Sequence, residues 1–279
     1  MVSINEIKNI YLVISGNKIE KIERLKAGFS NYSYLINNQH VLRLKKPSKD
    51  RYYDAKRESL VIRNIAPLKI SETVVYFNDQ DGTKLSEFLP RTKKIIGQPS
   101  FLQLELVAKT LHKLHRAKLQ SGVSFDLFNR LLFYKSQCLD FVDTVYERKT
   151  ISAVKRFYEN EPFVLCHNDV VNGNLLFRSR KVYLIDYEYA AYNNPLFDLA
   201  SYISENNIED EKLRRHFLKA YYAKKCDDKT YRHLLKLIEF QDILWYYWAQ
   251  MHYIRTKEMI YKRIAHHKWK AIIKNASSK

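Results

Sequence analysis

The sequence lacks the features of a small secreted protein and of a membrane-spanning one. It has only three cysteines, Cys138, Cys166 and Cys226, far apart and odd in number. Neither a disulfide framework nor a zinc site is expected from them, and they read as reduced thiols of a cytoplasmic protein. No apolar run approaches the roughly 20 residues that a membrane helix needs. The opening MVSINEIKNIYLVISG has no basic n-region, and its apolar stretch, residues 10–14, is too short for a signal peptide. Glycine and proline number six each, and they form no linker. There is no internal repeat and no low-complexity tract. A chain of 279 residues is then long enough for one large domain or two unequal lobes with real cores.

What is present is a globular composition, 46% hydrophobic and 14% aromatic, too apolar for disorder. Lysine and arginine total 48 against 30 acidic residues, a formal net charge of +18. Such a charge attracts polyanions: nucleic acid, an anionic membrane face or nucleotide phosphates. The basic residues are spread along the whole chain, however, among many Asn, Ile and Tyr. They read as a solvated basic surface, and no nucleic-acid partner is expected.

The two halves differ in texture. Between residues 18 and 89 the segments KIEKIERL, YSYLI, HVLRLK, TVVYF and KLSEFL have strand character, and a helical stretch at 53–65 interrupts them. The last two strands flank the turn-forming run Asn78-Asp79-Gln80-Asp81-Gly82. After Pro90 the chain turns helical. Phe101, Leu104, Ala108, Leu111 and Leu114 make a buried stripe, and residues 129–146 repeat the pattern. A short island of strands follows, FVLCH, LLFR and KVYLI, and everything from 195 to 273 reads as helix. The expectation is an α+β, two-lobed fold: a small antiparallel N-terminal lobe with one helix over residues 1–88, and a larger helical lobe over 89–279. The hinge falls near residues 86–89, and the active site in the cleft between lobes.

The chemistry concentrates in two segments, CHNDVVNGNLLF and LIDYEYA. Phosphoryl transfer to an alcohol needs a carboxylate near the attacking hydroxyl and oxygen ligands that hold Mg2+ against the phosphates. Asp169 opens a loop after the strand ending at Cys166. Asn174 lies five positions later, the offset of a kinase catalytic loop. The hairpin LLFR–KVYLI then returns the chain to Asp186, close to Asn174. Asp169 is the expected catalytic residue, which accepts or orients the hydroxyl proton. Asn174 and Asp186 are the expected metal ligands. Glu188 is expected to add a metal contact or to hold a neighbouring basic group, and His167 to brace the loop.

CHNDVVNGNLLF and LIDYEYAAYNNPLFDLASYISE resemble the two signature blocks of the choline/ethanolamine kinases, in the aminoglycoside-phosphotransferase-like branch of protein-kinase-like folds. The resemblance runs from about Leu25 to Tyr261. Val171 stands where eukaryotic members often carry Gln, which favours the bacterial, Lic-type branch. It implies ATP as co-substrate and Mg2+ as cofactor, with choline converted to phosphocholine; ethanolamine, thiamine or an aminoglycoside are the alternative acceptors. LKAGFSNYSYLI resembles the family's nucleotide loop, with Gly28, Ser30 and Asn31 turning backbone N–H groups toward phosphate. HVLRLKK resembles the phosphate-holding strand. It points to Arg43, with Lys45 as second choice on the same strand face, and Glu58 as the ion-pair partner. SEFLP resembles the hinge, where the backbone of Glu87 to Leu89 would bind adenine. In DILWYYWAQMHY, Trp245 and Trp248 are three apart on one helix face. Spacing alone makes them core; the resemblance makes them part of a choline pocket, with Tyr192, Glu205 and Tyr261 as further candidates.

Overall fold

The structure is a computed structural model that describes residues 2–25, 31–46, 51–119, 121–138, 144–160 and 162–277. The chain opens with a helix, α1 (Ile4–Ser15), ahead of the strand-like region that begins at residue 18 and without a counterpart among the sequence expectations. A local signal for it exists. Ser3 and Glu6 form a reciprocal capping box, and Gly16 closes the helix in the left-handed region at φ 70°. Five strands follow: β1 (Ile22–Leu25), β2 (Asn31–Ile36), β3 (His40–Lys45), β4 (Val74–Phe77) and β5 (Lys84–Glu87). They form one antiparallel sheet in the order β1-β2-β3-β5-β4. Helix α2 (Ala55–Ile65) lies between β3 and β4 in sequence, two residues shorter at its start than expected, because Asp54 caps it by accepting from Arg57 N–H.

The period of two along β3 decides what each sheet face carries. Leu42 and Leu44 point to one face, where they form a closed core with Ile7 and Tyr11 of α1, with Tyr34 and Ile36 of β2, and with Leu85 of β5. Arg43 points to the other face, toward α2. The same alternation therefore builds a hydrophobic roof and delivers a cation to the cleft beneath it.

The larger lobe comprises α3 (Phe101–Arg116), α4 (Leu127–Ser136), α5 (Val145–Tyr158), α6 (Leu196–Glu205), α7 (Glu211–Tyr222), α8 (Asp228–Thr256) and α9 (Met259–Ser277). The single helix expected over 129–146 is two elements. α4 stops at Ser136, and α5 begins after Thr144, whose hydroxyl caps it by accepting from Glu147 N–H. A polar cap inside an apolar-periodic run was the overlooked signal. Set among these helices are two small antiparallel pairs. One joins β6 (Val164–Cys166) to β9 (Ala191–Asn193), the other β7 (Leu175–Arg178) to β8 (Lys181–Leu184). Strand β9 is too short and too embedded in the following helix pattern to be read from sequence. Among the described residues no helix is long and apolar enough to cross a membrane.

Leu42 is fully buried at the centre of the roof. Leu42→Ala is expected to cost about 2–5 kcal/mol, read as a lower urea midpoint at unchanged slope. A loss under about 0.5 kcal/mol would mean that α1 and the sheet are not one packed unit.

Candidate active site

The loop after β6 is shaped by one buried carboxylate that sequence reasoning assigned no role. Asp198, in the first turn of α6 and fully buried, accepts His167 N–H on one oxygen at 2.8 Å and Asn168 N–H on the other at 2.7 Å. His115 Nε2 lies 2.9 Å from the first of these oxygens, and its Nδ1 lies 2.7 Å from the Tyr221 hydroxyl. Two consecutive amides can aim at one carboxylate because Asn168 takes a left-handed conformation, φ 65°, which asparagine tolerates better than most residues. Its side chain is locked in turn. Nδ2 donates to Tyr189 O at 3.0 Å, and Oδ1 accepts from Asn193 at 2.7 Å. The signal for Asp198 was the Phe-Asp-Leu-Ala stretch itself: an acid on the buried face of a helix needs donors.

His115, Cys166 and Asp198 gather ligand-type atoms within 4.8 Å of one another, but these atoms are already engaged. Burial holds the Cys166 thiol protonated, with its pKa well above the ordinary value, and Sγ donates to Asn193 O. The cluster is a support for the loop.

His167 is also structural in its contacts. Its Nδ1 accepts from Asp169 N–H at 3.2 Å, so Nε2 carries the proton that it donates to Ile185 O at 3.0 Å. Burial pushes its pKa down, and both ring nitrogens of the neutral imidazole are occupied. It ties the Asp169 loop to the strand end that precedes Asp186.

Asp169 and Asn174 are in direct contact. Asn174 Nδ2 donates to the Asp169 carboxylate at 2.8 Å and to its carbonyl at 3.0 Å. Ile185 N–H donates to Asn174 O at 2.9 Å, which brings Asp186 off the end of β8 beside Asn174. Asp186 is left-handed at φ 68°. It reaches across to Arg43, whose Nη1 lies 2.9 Å from Asp186 Oδ1. Arg43 also forms a two-pronged ion pair with Glu58, at 2.6 and 2.8 Å, and donates to Gly82 O at 3.1 Å. Gly82 has φ 76°, and a Cβ there would fall 1.9 Å from the Tyr53 hydroxyl oxygen. The left-handed conformation favours glycine, and a side chain there would also have to displace the Tyr53 hydroxyl. Lys45 pairs with Glu188 and sits 3.8 Å from the centre of the Tyr53 ring. Glu188 thus holds a basic neighbour, one of the two roles expected of it.

The electrostatics follow from this crowding. The Asp169 carboxyl is pushed well above the usual carboxylate range, first by burial and then by the Asp186, Glu188 and Glu205 carboxylates. Burial and Asp186 raise Glu188 as well, against the pull of Lys45. At Arg43 burial opposes the charge, but Glu58, Asp186 and Glu188 outweigh it and the pKa is raised. Asp186, with the amide oxygen of Asn174, presents hard oxygen donors of the kind Mg2+ takes. The surplus of negative charge around Asp169 gives a divalent cation an electrostatic reason to bind there.

The remaining expected residues are distributed unevenly. Gly28 and Ser30 lie outside the described residues. Asn31 opens β2, buried, with its Oδ1 unpaired. At the hinge, Glu87 N–H donates to Thr73 O and Phe88 N–H to Gln39 O. Of the hinge amides expected to meet adenine, that leaves Leu89 N–H. Trp245 and Trp248 stand edge to face at 5.9 Å. Trp245 meets Tyr189 at 6.5 Å, and Trp248 meets Tyr261 at 5.5 Å. Both tryptophans pack on the main core yet stay partly exposed. Glu205, at the end of α6, bonds Lys268 at 2.6 Å. Tyr192 is apart from this group: it lies on β9 with its backbone bonded to Val123 and Phe125. Among the described residues no ring contact joins it to the tryptophan pair.

Comparison with known proteins agrees with this architecture. Residues 21–235 match the family model described as "Phosphotransferase enzyme family". The protein LicA of Haemophilus influenzae is 27% identical over 250 residues, covering 80% of this chain and 71% of that one. The solved choline kinase LicA from Streptococcus pneumoniae superposes with a TM-score of 0.82 at 18% identity, over 99% of both chains. A choline/ethanolamine kinase family protein from Mesorhizobium loti gives 0.81 at 17% identity, over 96% of this chain and 92% of that one. At such identities the superpositions establish the two-lobed protein-kinase-like fold.

The raised pKa of Asp169 has a consequence for stability. Below about pH 4 the group is protonated in both folded and unfolded chains. As pH rises, the unfolded chain ionises first, and stability is lost until the folded carboxyl also ionises. In buffer free of nucleotide and divalent cations, Asp169→Asn is therefore expected to raise the melting temperature at pH 7, with the gain shrinking toward zero near pH 4. Parallel melting curves across that range would show that the acidic cluster does not strain the fold.

Proposed function

The chain belongs to the phosphotransferase enzyme family, and from that premise we propose that it transfers the γ-phosphoryl group of ATP to the hydroxyl of choline, with Mg2+ as cofactor. The observation that carries the choline reading is the aromatic path Tyr189–Trp245–Trp248–Tyr261. It starts at the residue whose carbonyl holds Asn168, next to Asp169, and Glu205 adds a negative charge felt at Asp169 itself. Aromatic faces with a carboxylate at hand suit a quaternary ammonium, which donates no hydrogen bonds. The choline kinase LicA that shares the fold supports the same reading.

In the proposed reaction the choline oxygen attacks the γ-phosphorus. A new P–O bond forms as the bond to the bridging oxygen of ADP breaks, and the hydroxyl proton passes to Asp169. A raised pKa makes Asp169 a better proton acceptor than an ordinary aspartate. Asn174 Nδ2 fixes its orientation. Asn174 Oδ1 and Asp186 would hold the magnesium ion, which supplies charge neutralisation at the phosphates. Arg43, braced by Glu58, reaches toward the same phosphates, and Leu89 N–H is the hinge donor for adenine. The setting proposed for these substrates is cytoplasmic.

A panel of alcohols with ATP and Mg2+, followed by ADP release, tests the assignment. Choline is expected to turn over best. Asp169→Ala is expected to lower kcat at least about a hundredfold while ATP still binds; robust turnover by it would remove Asp169 from the catalytic role. Trp245→Ala and Trp248→Ala are each expected to raise the choline KM about tenfold. Unchanged KM values would make those rings part of the core alone.

A further inference from the structure

Helix α9 carries a lysine on its buried stripe. Tyr261, Ala265, Lys268 and Ile272 are the buried residues of that helix, spaced four, three and four apart, so they share one face. Tyr261 of this stripe meets Trp248. Two helical turns further along, Lys268 is 3% exposed. Its ammonium lies 2.6 Å from Glu205 Oε1, 3.1 Å from Asp242 Oδ1 and 3.3 Å from the Ser204 hydroxyl. Asp242 stands three residues before Trp245, on the same face of α8. The trio Glu205, Asp242 and Lys268 thus borders the aromatic path and holds two negative charges against one positive.

Burial alone would strip Lys268 of its proton, but Glu205 and Asp242 outweigh it and push the pKa up. The ammonium claims one oxygen of Glu205. Two carboxylates against one ammonium leave the trio with one net negative charge. A quaternary ammonium needs only that field and the ring faces. A primary ammonium gains mainly by donating hydrogen bonds to the carboxylate.

We propose that Lys268 is a specificity-determining residue: by occupying Glu205 it withholds hydrogen-bonding capacity from primary ammonium acceptors and so favours quaternary ones. This rests on the choline reading above and goes beyond it by naming what sets the preference. Lys268 acts through Glu205 and is a positioning residue. A purely structural lysine, which merely ties α9 to α6 and α8, would lower activity toward every acceptor alike.

The test compares kcat/KM for choline and for ethanolamine in the native enzyme, in Lys268→Met and in the double variant Asp242→Asn/Lys268→Met. The double variant keeps the trio at one net negative charge and leaves no unpaired Asp242, so it frees Glu205 without altering the field. Circular dichroism and ATP affinity report on its fold. The choline-to-ethanolamine ratio is expected to fall about tenfold in the double variant, the worth of one charge-assisted hydrogen bond, mostly through a lower ethanolamine KM. Direct titration of both alcohols against tryptophan fluorescence should show the same shift in the ratio of Kd values. A ratio within twofold of the native one, in a folded double variant, overturns the proposal and leaves the choline assignment standing. A native enzyme that phosphorylates neither alcohol overturns both.

Discussion

Negative charge is concentrated in the cleft, and the two lobes meet where that charge is answered. Asp169, Asp186, Glu188 and Glu205 all come from the larger lobe, and burial, then the last three carboxylates, push the Asp169 pKa above the usual carboxylate range. The smaller lobe answers with Arg43 to Asp186 and Lys45 to Glu188. Both cations stand on one face of β3, and Arg43 is fixed by Glu58 behind it. Pairing at such buried positions adds little net stability once desolvation is counted, while losing one partner is costly. These pairs are better understood as setting the register of the lobes. They tie the two lobes together across the cleft.

That division of charge explains why the catalytic loop must be held from beneath. A loop that carries a strained acid beside other acids would relax away unless its backbone were anchored. Asp198 provides the anchor by gathering two successive amides and His115, and His167 passes the constraint on to Ile185. Left-handed backbone at Asn168 and Asp186 is the local strain that this anchoring sustains. The acceptor side repeats the theme at lower charge density. Glu205 and Asp242 face Lys268 there, close to the aromatic rings proposed to receive the acceptor.

The signature segments were legible because their chemistry is local. Asp169 and Asn174 are five residues apart in one loop, and a single hairpin carries the chain to Asp186. Short-range geometry therefore sufficed to bring them together. The alternation of β3 likewise placed Arg43 and Lys45 on one face, and the helical spacing of Trp245 and Trp248 placed them side by side. Helix α1 has a readable capping box at Ser3 and Glu6, although no element was expected there, and the cap at Thr144 divides what looked like one helix.

What the linear order could not convey is which distant groups compensate one another. Glu188 meets Lys45 only because the two lobes approach each other. Asp198 and Lys268 are ordinary charged residues in sequence; burial turns the first into the anchor of a loop 30 residues away and the second into the partner of Glu205. Hinge amides look alike until the sheet engages those of Glu87 and Phe88 and leaves that of Leu89. Residue type and spacing determine local conformation and the chemistry a segment can perform. Desolvation and charge pairing depend on what the fold brings alongside, and those were settled only in three dimensions.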